Sequence, residues 1–84
     1  MNKIDSLKKK IKYRSEHRGI KEMDLLLGNF VKKYVDTFNH EELLDLCNIL
    51  EKDDDTIFKW YSGITNNREI TESNVSNLLK KFKL

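Results

Sequence analysis

Apolar side chains recur along the chain at intervals of three and four residues, the spacing that places them on one face of an α-helix. In the first segment, Ile4, Leu7 and Ile11 follow this spacing, and Gly19 predicts a break after it. Residues 20–38 predict a second helix with one buried stripe, confined to a sector of about 80°. That stripe consists of Ile20, Met23, Leu27, Phe30, Tyr34 and Phe38. Convincing strand alternation is absent from the sequence.

Two capping signals predict the helices that follow. Asn39 is a favoured N-cap residue, and Glu42 three positions later completes a capping-box pair. The predicted third helix runs to about Lys52 and buries Leu43, Leu46, Cys47 and Leu50. Carboxylates at residues 53–55 suit the positive end of a fourth helix. That helix is short, is predicted to stop near Gly63 and carries Ile57, Phe58, Trp60, Tyr61 and Ile64, with Trp60 and Phe58 assigned to the core.

A polar loop at residues 65–68 separates the fourth helix from the last one. Thr71 or Ser73 is the predicted N-cap of the fifth helix, whose apolar positions are Val75, Leu78, Leu79 and Phe82. The pattern therefore predicts an all-α fold, a compact five-helix bundle that forms a single domain over residues 1–84. A chain of 84 residues has no room for separate cofactor and substrate domains, which excludes a large multi-step enzyme.

The composition points to a protein without a membrane span. The longest apolar run, residues 25–27, is far below the roughly 20 residues that cross a bilayer. No apolar block follows the N-terminal lysines, so we expect no secretory signal, and Asp5 and Glu16 argue against a transit peptide. The lone Cys47 indicates a reducing compartment. We expect a cytoplasmic protein if the source is bacterial, which the first methionine favours, and a mitochondrial matrix protein if it is eukaryotic.

Catalytic and metal-binding patterns are absent from the sequence. His17 and His40 lack any metal-ligand spacing, and Cys47 lies on a buried helical stripe where an inert thiol is expected. The run of aspartates at residues 53–55 lacks the alternating ligands and glycine of a calcium loop. We therefore predict no catalytic residue, no metal site and no tightly bound cofactor.

Basic residues are concentrated in the first half of the chain. Residues 1–40 carry ten basic and five acidic side chains, while residues 41–84 carry six and nine. The densest cluster consists of Lys3, Lys8, Lys9, Lys10, Lys12 and Arg14. Such an arm attracts nucleic acid or an acidic protein surface. A solvated helix face is the favoured interpretation, because no series of stacking aromatics accompanies the lysines.

A second group of residues lies at the start of the predicted second helix. Arg18 and Glu22 are four residues apart, with Gly19 between them, and Leu25 lies opposite the buried stripe. One interpretation is a local Arg18–Glu22 ion pair across the helix start, contributing about 0.3–0.5 kcal/mol. The other is that these residues face a partner whose backbone approaches closely over the glycine. Without further information, the local Arg18–Glu22 ion pair is the favoured interpretation.

Two blocks of sequence resemble a known family. Residues 18–24, Arg-Gly-Ile-Lys-Glu-Met-Asp, resemble the RGxxE signature of the SdhE family, also called succinate dehydrogenase assembly factor 2. Residues 50–60 resemble that family's LLExDDPDLFxW segment. The resemblance covers about residues 6–82. Departures are Asp55 and Gly28 or Asn29 where the family often has proline, and His17 where another basic residue often precedes the arginine.

The resemblance implies a five-helix bundle that acts as a non-enzymatic assembly factor. Such a factor promotes covalent attachment of FAD to the flavoprotein subunit of succinate dehydrogenase, and in some bacteria of fumarate reductase. The implied partner-binding residues are Arg18, Gly19 and Glu22, with Asp24 as a lesser candidate and Leu25 beside them. On this hypothesis Arg18 extends into the interface as a charged anchor. The FAD belongs to the flavoprotein, and we expect this chain to be a monomer when free.

Two other function classes stay open from the sequence. A small helical protein could bind nucleic acid through residues 3–14, although we expect no nucleic-acid partner. An antitoxin-like module that blocks a toxin or a membrane-associated partner is the second alternative. Only the assembly-factor hypothesis predicts the flavoprotein subunit as the main binding partner.

Overall fold

A computed structural model describes residues 3–16, 18–64 and 70–83. The chain forms five α-helices, with a short 3-10 turn at Val35–Thr37 after the second. They are α1 (Lys3–Glu16), α2 (Lys21–Tyr34), α3 (His40–Leu50), α4 (Asp54–Ser62) and α5 (Asn74–Lys81). No β-strand occurs among the described residues. The all-α, five-helix prediction is therefore confirmed, while the predicted loop at residues 65–68 lies outside the described residues.

The helix starts follow the predicted capping chemistry. The Asn39 side chain accepts a hydrogen bond from Glu42 N, and the Glu42 carboxylate accepts one from Asn39 N, so the capping box is confirmed. The Asp53 carboxylate accepts from Thr56 N at the start of α4. Of the two candidates for α5, Ser73 is the N-cap.

The predicted second helix ends earlier than its apolar stripe. Helix α2 stops at Tyr34, and Phe38 has extended backbone angles. The Thr37 hydroxyl donates to Tyr34 O at 2.7 Å, a local bond that competes with the helical ladder. Phe38 nevertheless returns to the core and stacks on Tyr34, with ring centroids 5.9 Å apart. Helix α3 likewise ends at Leu50, two residues before the predicted end.

The core lies where α1 crosses α2 and α3, and where α3 packs on α5. Its fully buried side chains include Ile11, Leu27, Phe30, Leu43, Leu46, Leu50, Ile57 and Leu79. Ser15 of α1 is buried, and a Cβ added to Gly28 of α2 would stand 3.9 Å from Ser15 O, an ordinary van der Waals contact. Cys47 is buried, as predicted. Within the described ranges, no helix is both long and apolar enough to cross a membrane.

Three apolar residues that the pattern assigned to buried faces are exposed. Ile4 and Phe58 are each 38% exposed, and Ile64 is 64% exposed. Phe58 lies about 160° around α4 from the buried Trp60, so one packing face cannot cover both rings. Ile64 follows Gly63, whose φ of 74° ends the helix in the left-handed region. The prediction of Phe58 as a core residue is therefore wrong, whereas that of Trp60 is confirmed.

Candidate functional site

The side chain of Arg18 is enclosed by four acceptors. Its Nε donates to Asp54 Oδ1 at 2.5 Å, and its terminal nitrogens donate to Leu50 O at 2.8 Å and Lys52 O at 2.7 Å. A longer bond of 3.3 Å reaches Arg14 O. Only 8% of the Arg18 side chain and 12% of the Asp54 side chain are exposed. The planar guanidinium therefore ties the segment after α1 to the end of α3 and the start of α4.

The carboxylate of Asp54 also holds the backbone that follows Arg18. Its second oxygen, Oδ2, accepts a hydrogen bond from Ile20 N at 2.8 Å. One carboxylate thus fixes Arg18 and Ile20, the residues on either side of Gly19. We call this arrangement of Arg18, Ile20 and Asp54 the clamp. Because Asp54 belongs to the first turn of α4, the clamp sets the path by which the chain enters α2.

Gly19 is exposed at the turn that the clamp holds. Among the described residues only Gly63 has a positive φ, so the Gly19 backbone does not require a glycine. A Cβ added there would lie 3.5 Å from Asp54 Oδ2, an ordinary van der Waals contact. Nothing that the structure describes inside this chain demands a glycine at this position. Among the described residues beyond its chain neighbours, Asp54 Oδ2 is the only heavy atom within 4 Å of that Cβ position, so the surrounding space is otherwise open.

The other predicted site residues lie on the first two turns of α2. Glu22 and Leu25 are exposed, Leu25 by 49%, as the pattern predicted for Leu25. Three residues apart on a helix, they are neighbours on one face. Asp24 is half-buried, and its Oδ1 accepts no hydrogen bond from the described residues. The structure therefore brings Gly19, Glu22 and Leu25 together on one surface.

Two expectations for Arg18 are corrected by this geometry. The ion-pair partner of Arg18 is Asp54, 36 residues away in the chain, and not Glu22. The guanidinium also points into the fold, so it is not the exposed anchor of the sequence-based hypothesis. Arg18 holds its neighbours in place, and the exposed residues nearby are Gly19, Glu22 and Leu25.

Asp54 is the site residue that the sequence reasoning missed. The run at residues 53–55 was interpreted as helix capping, but its three carboxylates have three different tasks. Asp53 caps α4, Asp55 pairs with Lys59 at 3.1 Å, and Asp54 binds Arg18. A helix start needs one capping side chain. Asp54 and Asp55 are not needed for capping, so their presence in the sequence could have indicated a cationic partner elsewhere in the chain.

The lysine cluster of α1 is dispersed over an exposed helix surface. Lys8 pairs with Asp36 at 3.1 Å, and Lys10 lies 3.8 Å from Glu51. These pairs join α1 to neighbouring elements and neutralise part of its positive charge. The geometry agrees with the solvated-face interpretation.

Three surface cavities lined by described residues enclose about 300, 320 and 160 Å³. Small-molecule sites usually enclose about 300–1,000 Å³, so the two larger cavities reach only the lower limit of that range, and a dinucleotide as large as FAD requires a site well above that limit. The largest is lined by Asp5, Lys8, Lys9, Lys12 and Asp36, with no glycine-rich loop to hold a pyrophosphate. These cavities do not fit FAD. Within the described ranges, no group of three or more His, Cys, Asp or Glu side chains could hold a metal ion.

The fold and the site define a small helical protein that presents a rigidly held polar turn on its surface. Comparison with known families is consistent with that class: a family model described as "Flavinator of succinate dehydrogenase" matches residues 9–83. The chain belongs to this family.

Curated relatives carry corresponding names. The chain is 43% identical over 56 residues to "FAD assembly factor SdhE" of Acetobacter pasteurianus, covering 67% of this chain and 51% of that protein. It is 34% identical over 80 residues to "Succinate dehydrogenase assembly factor 2, mitochondrial" of Dictyostelium discoideum, covering 95% of this chain and 55% of that protein. The chain therefore spans about half the length of these relatives. No solved structure matches it significantly.

Proposed function

We propose that this protein is an assembly factor that promotes covalent attachment of FAD to the flavoprotein subunit of succinate dehydrogenase. Membership of the flavinator family and the relatives' names support this function. The observation that carries the proposal is the exposed Gly19 turn, held by the clamp although nothing described within the chain demands a glycine there. A surface that is rigid and open at its centre suits close approach by another backbone.

The reaction centre belongs to the flavoprotein in this proposal. FAD held by the flavoprotein would supply the 8α-methyl carbon to which a histidine side chain of the flavoprotein becomes bonded. The present chain contributes a surface formed by Gly19, Glu22 and Leu25, which we call the client surface because the flavoprotein is the client. Arg18 holds that surface in place. By binding the flavoprotein in the conformation where its FAD and acceptor side chain are aligned, it supplies a proximity effect. Asp24 lies at the edge of this surface and is a secondary candidate for partner contact.

Several further features belong to this proposal. The protein is not itself an enzyme, binds no FAD tightly and acts as a monomer. Fumarate reductase is a second client where a cell contains one. The protein works where its client is loaded with FAD, which is the bacterial cytoplasm or the mitochondrial matrix. The small volume of the three cavities above, at most about 320 Å³, supports a cofactor held by the client.

The decisive experiment measures covalent flavin on the cognate flavoprotein subunit by in-gel fluorescence, with and without this protein. Gly19→Arg should reduce the rate of attachment at least tenfold, because the new side chain blocks close approach to the turn. Asn77→Arg adds the same cation to an exposed position of α5 and should leave the rate unchanged. Circular dichroism should give both variants the helical content of the wild-type protein.

A second pair of variants tests the carboxylate of the site. Glu22→Gln removes one exposed charge from the first turn of α2, and Glu41→Gln does the same for the first turn of α3. Because the two changes have similar effects on the helices, only a partner contact distinguishes them. Slower flavin attachment with Glu22→Gln alone supports the proposal. Normal attachment with both Gly19→Arg and Glu22→Gln would show that this surface is not the site.

A further inference from the structure

A small apolar groove lies between α2 and α4, directly beside the proposed client surface. It encloses about 160 Å³ and is lined by Glu22, Met23, Leu26, Phe58, Tyr61 and Ser62. Glu22 belongs to both surfaces. On α2, Glu22 is a neighbour of Leu25 and of Leu26, so the groove adjoins the exposed surface that follows the Gly19 turn.

The exposure of Phe58 distinguishes this groove from an ordinary surface depression. Single exposed apolar side chains are common on proteins. Phe58, however, is 38% exposed and forms one wall of a depression that also contains Met23 and Leu26. An aromatic ring at the edge of a small pocket is typical of interface residues that contribute strongly to binding.

The size of the groove limits what it can hold. An engineered apolar cavity of about 150 Å³ accepts one benzene molecule. A groove of about 160 Å³ therefore accommodates a single aromatic or branched aliphatic side chain. It is smaller than the roughly 300 Å³ at which small-molecule sites begin.

Charged groups at the groove indicate what flanks that side chain. Glu22 is one of the lining residues. Beside another lining residue, Tyr61, Lys83 Nζ lies 5.4 Å from the centroid of the ring. The Tyr61 hydroxyl donates to Phe82 O, which fixes the segment that carries Lys83. A partner segment with an acidic residue on the Lys83 side complements this arrangement.

We propose that this groove receives one large apolar side chain of the flavoprotein client, from a segment whose acidic residue lies against Lys83. This inference rests on the proposed function, because its occupant is the client. It extends the interface from the Gly19 turn along α2 to α4 and assigns a binding role to Phe58.

The test is a calorimetric titration of the cognate flavoprotein subunit with this protein. Phe58→Ala removes the wall of the groove and should raise the Kd at least tenfold. Leu44→Ala is the matched control, because Leu44 is 43% exposed on α3 and lies outside the groove. Its Kd should stay within a factor of two of the wild-type value.

A second variant keeps the test decisive if Phe58→Ala lowers stability. Ser62 is exposed and lines the groove, so Ser62→Phe fills the space without removing a core side chain. It should raise the Kd about as much as Phe58→Ala. The charge is tested by Lys83→Glu, with Lys81→Glu as control: only the former should weaken binding, by about two- to fivefold at low salt.

The outcomes separate this inference from the proposed function. Tight binding by Phe58→Ala and Ser62→Phe, together with loss of binding by Gly19→Arg, would overturn the groove and leave the function standing. If the wild-type protein does not bind the flavoprotein, both fall. If light scattering shows a dimer that Phe58→Ala dissociates, the groove holds a second copy of this chain and the inference is wrong.

Discussion

Two regions of this molecule use opposite charges in different ways. On α1, Lys8 and Lys10 pair with acidic side chains across the surface, and the Lys10 and Glu51 side chains are 50% and 46% exposed. At the clamp, Arg18 and Asp54 are 8% and 12% exposed, and both groups make further hydrogen bonds to the backbone. The pairs of α1 are solvated and hold no particular segment in place. The Arg18–Asp54 pair fixes the position of the turn at Gly19.

Burial determines whether a charged pair contributes strongly to the stability of the fold. Exposed ion pairs contribute about 0–1 kcal/mol, because water and salt screen them and two long side chains must be ordered. Removing one partner of a buried pair leaves an uncompensated charge, at a cost of about 3–5 kcal/mol. The many lysines of α1 therefore contribute little to the stability of the fold. Arg18, by contrast, joins the segment before α2 to the end of α3 and the start of α4.

The largest effect should come from breaking the clamp with Arg18→Ala. This change leaves Asp54 Oδ1 and the carbonyls of Leu50 and Lys52 without the donor that Arg18 supplies. We expect the free energy of unfolding to fall by about 3 kcal/mol, and the Tm by more than about 10 °C. Urea unfolding followed by circular dichroism measures the first quantity.

Arg14→Ala is the matched control for this prediction, since Arg14 is the preceding arginine and its contact with Arg18 uses only backbone oxygen. Its loss should stay below about 1 kcal/mol. Arg18→Lys should recover only part of the stability, because an ammonium lacks the planar fork. Equal losses for Arg18→Ala and Arg14→Ala would mean that the clamp does not hold in solution.

An intermediate effect is expected at Asp53, the exposed neighbour of Asp54. Hydrogen bonds from the Thr56 side chain and then from its backbone N–H hold the pKa of Asp53 below its ordinary value of 3.8. Because the folded-state pKa is the lower one, the ionised carboxylate stabilises the fold above pH 3.8. That contribution is lost as the pH falls through the folded-state pKa.

The variant Asp53→Asn separates this titration from the cap itself. Asparagine is an equally good N-cap but does not titrate. The loss of stability between pH 5 and pH 2, measured by urea unfolding, should therefore be smaller in Asp53→Asn than in the wild-type protein. Identical pH profiles would contradict the role of the carboxylate. Asp53→Ala should lower the urea midpoint at neutral pH, though by less than Arg18→Ala.

The smallest effect should follow Lys10→Ala. The Lys10–Glu51 separation of 3.8 Å and the exposure of both groups predict a change within about 0.5 kcal/mol. The same variant should also leave flavin attachment unchanged, because α1 is not part of the proposed client surface. A gel shift with generic DNA at low salt is the companion measurement, and tight binding that Lys10→Ala weakens would favour the nucleic-acid alternative.

Local signals predicted the helices of this chain well. The Asn39–Glu42 capping box and the Asp53 cap involve residues three positions apart, and such short-range chemistry is visible in sequence. Apolar periodicity likewise located most of the core. It failed at Phe58, because periodicity shows that a side chain is apolar but not which of two faces of a short helix finds a partner.

The clamp could not be predicted in the same way. Arg18 and Asp54 are separated by two complete helices, and only the packing of α1, α2 and α3 brings them together. The resemblance to a family identified both sequence blocks without giving their contact. The resemblance was needed to assign a role to Gly19 and Glu22, because both are exposed and neither makes a side-chain hydrogen bond to another described residue that would mark it in the chain alone.

The hydrogen bond from Ile20 N to Asp54 has a consequence for how the two sequence blocks are inherited or transplanted. Residues 18–24 and residues 50–60 depend on each other, because the first block is held in its conformation only when the second is folded against it. A synthetic peptide that spans residues 14–30 would contain every letter of the motif, yet short isolated helices are marginal in water and this one would lack its carboxylate. Transferring the motif to another scaffold therefore requires more than residues 18–24. The scaffold must also supply an aspartate at the start of a neighbouring helix, where it can accept the hydrogen bond that Asp54 accepts here.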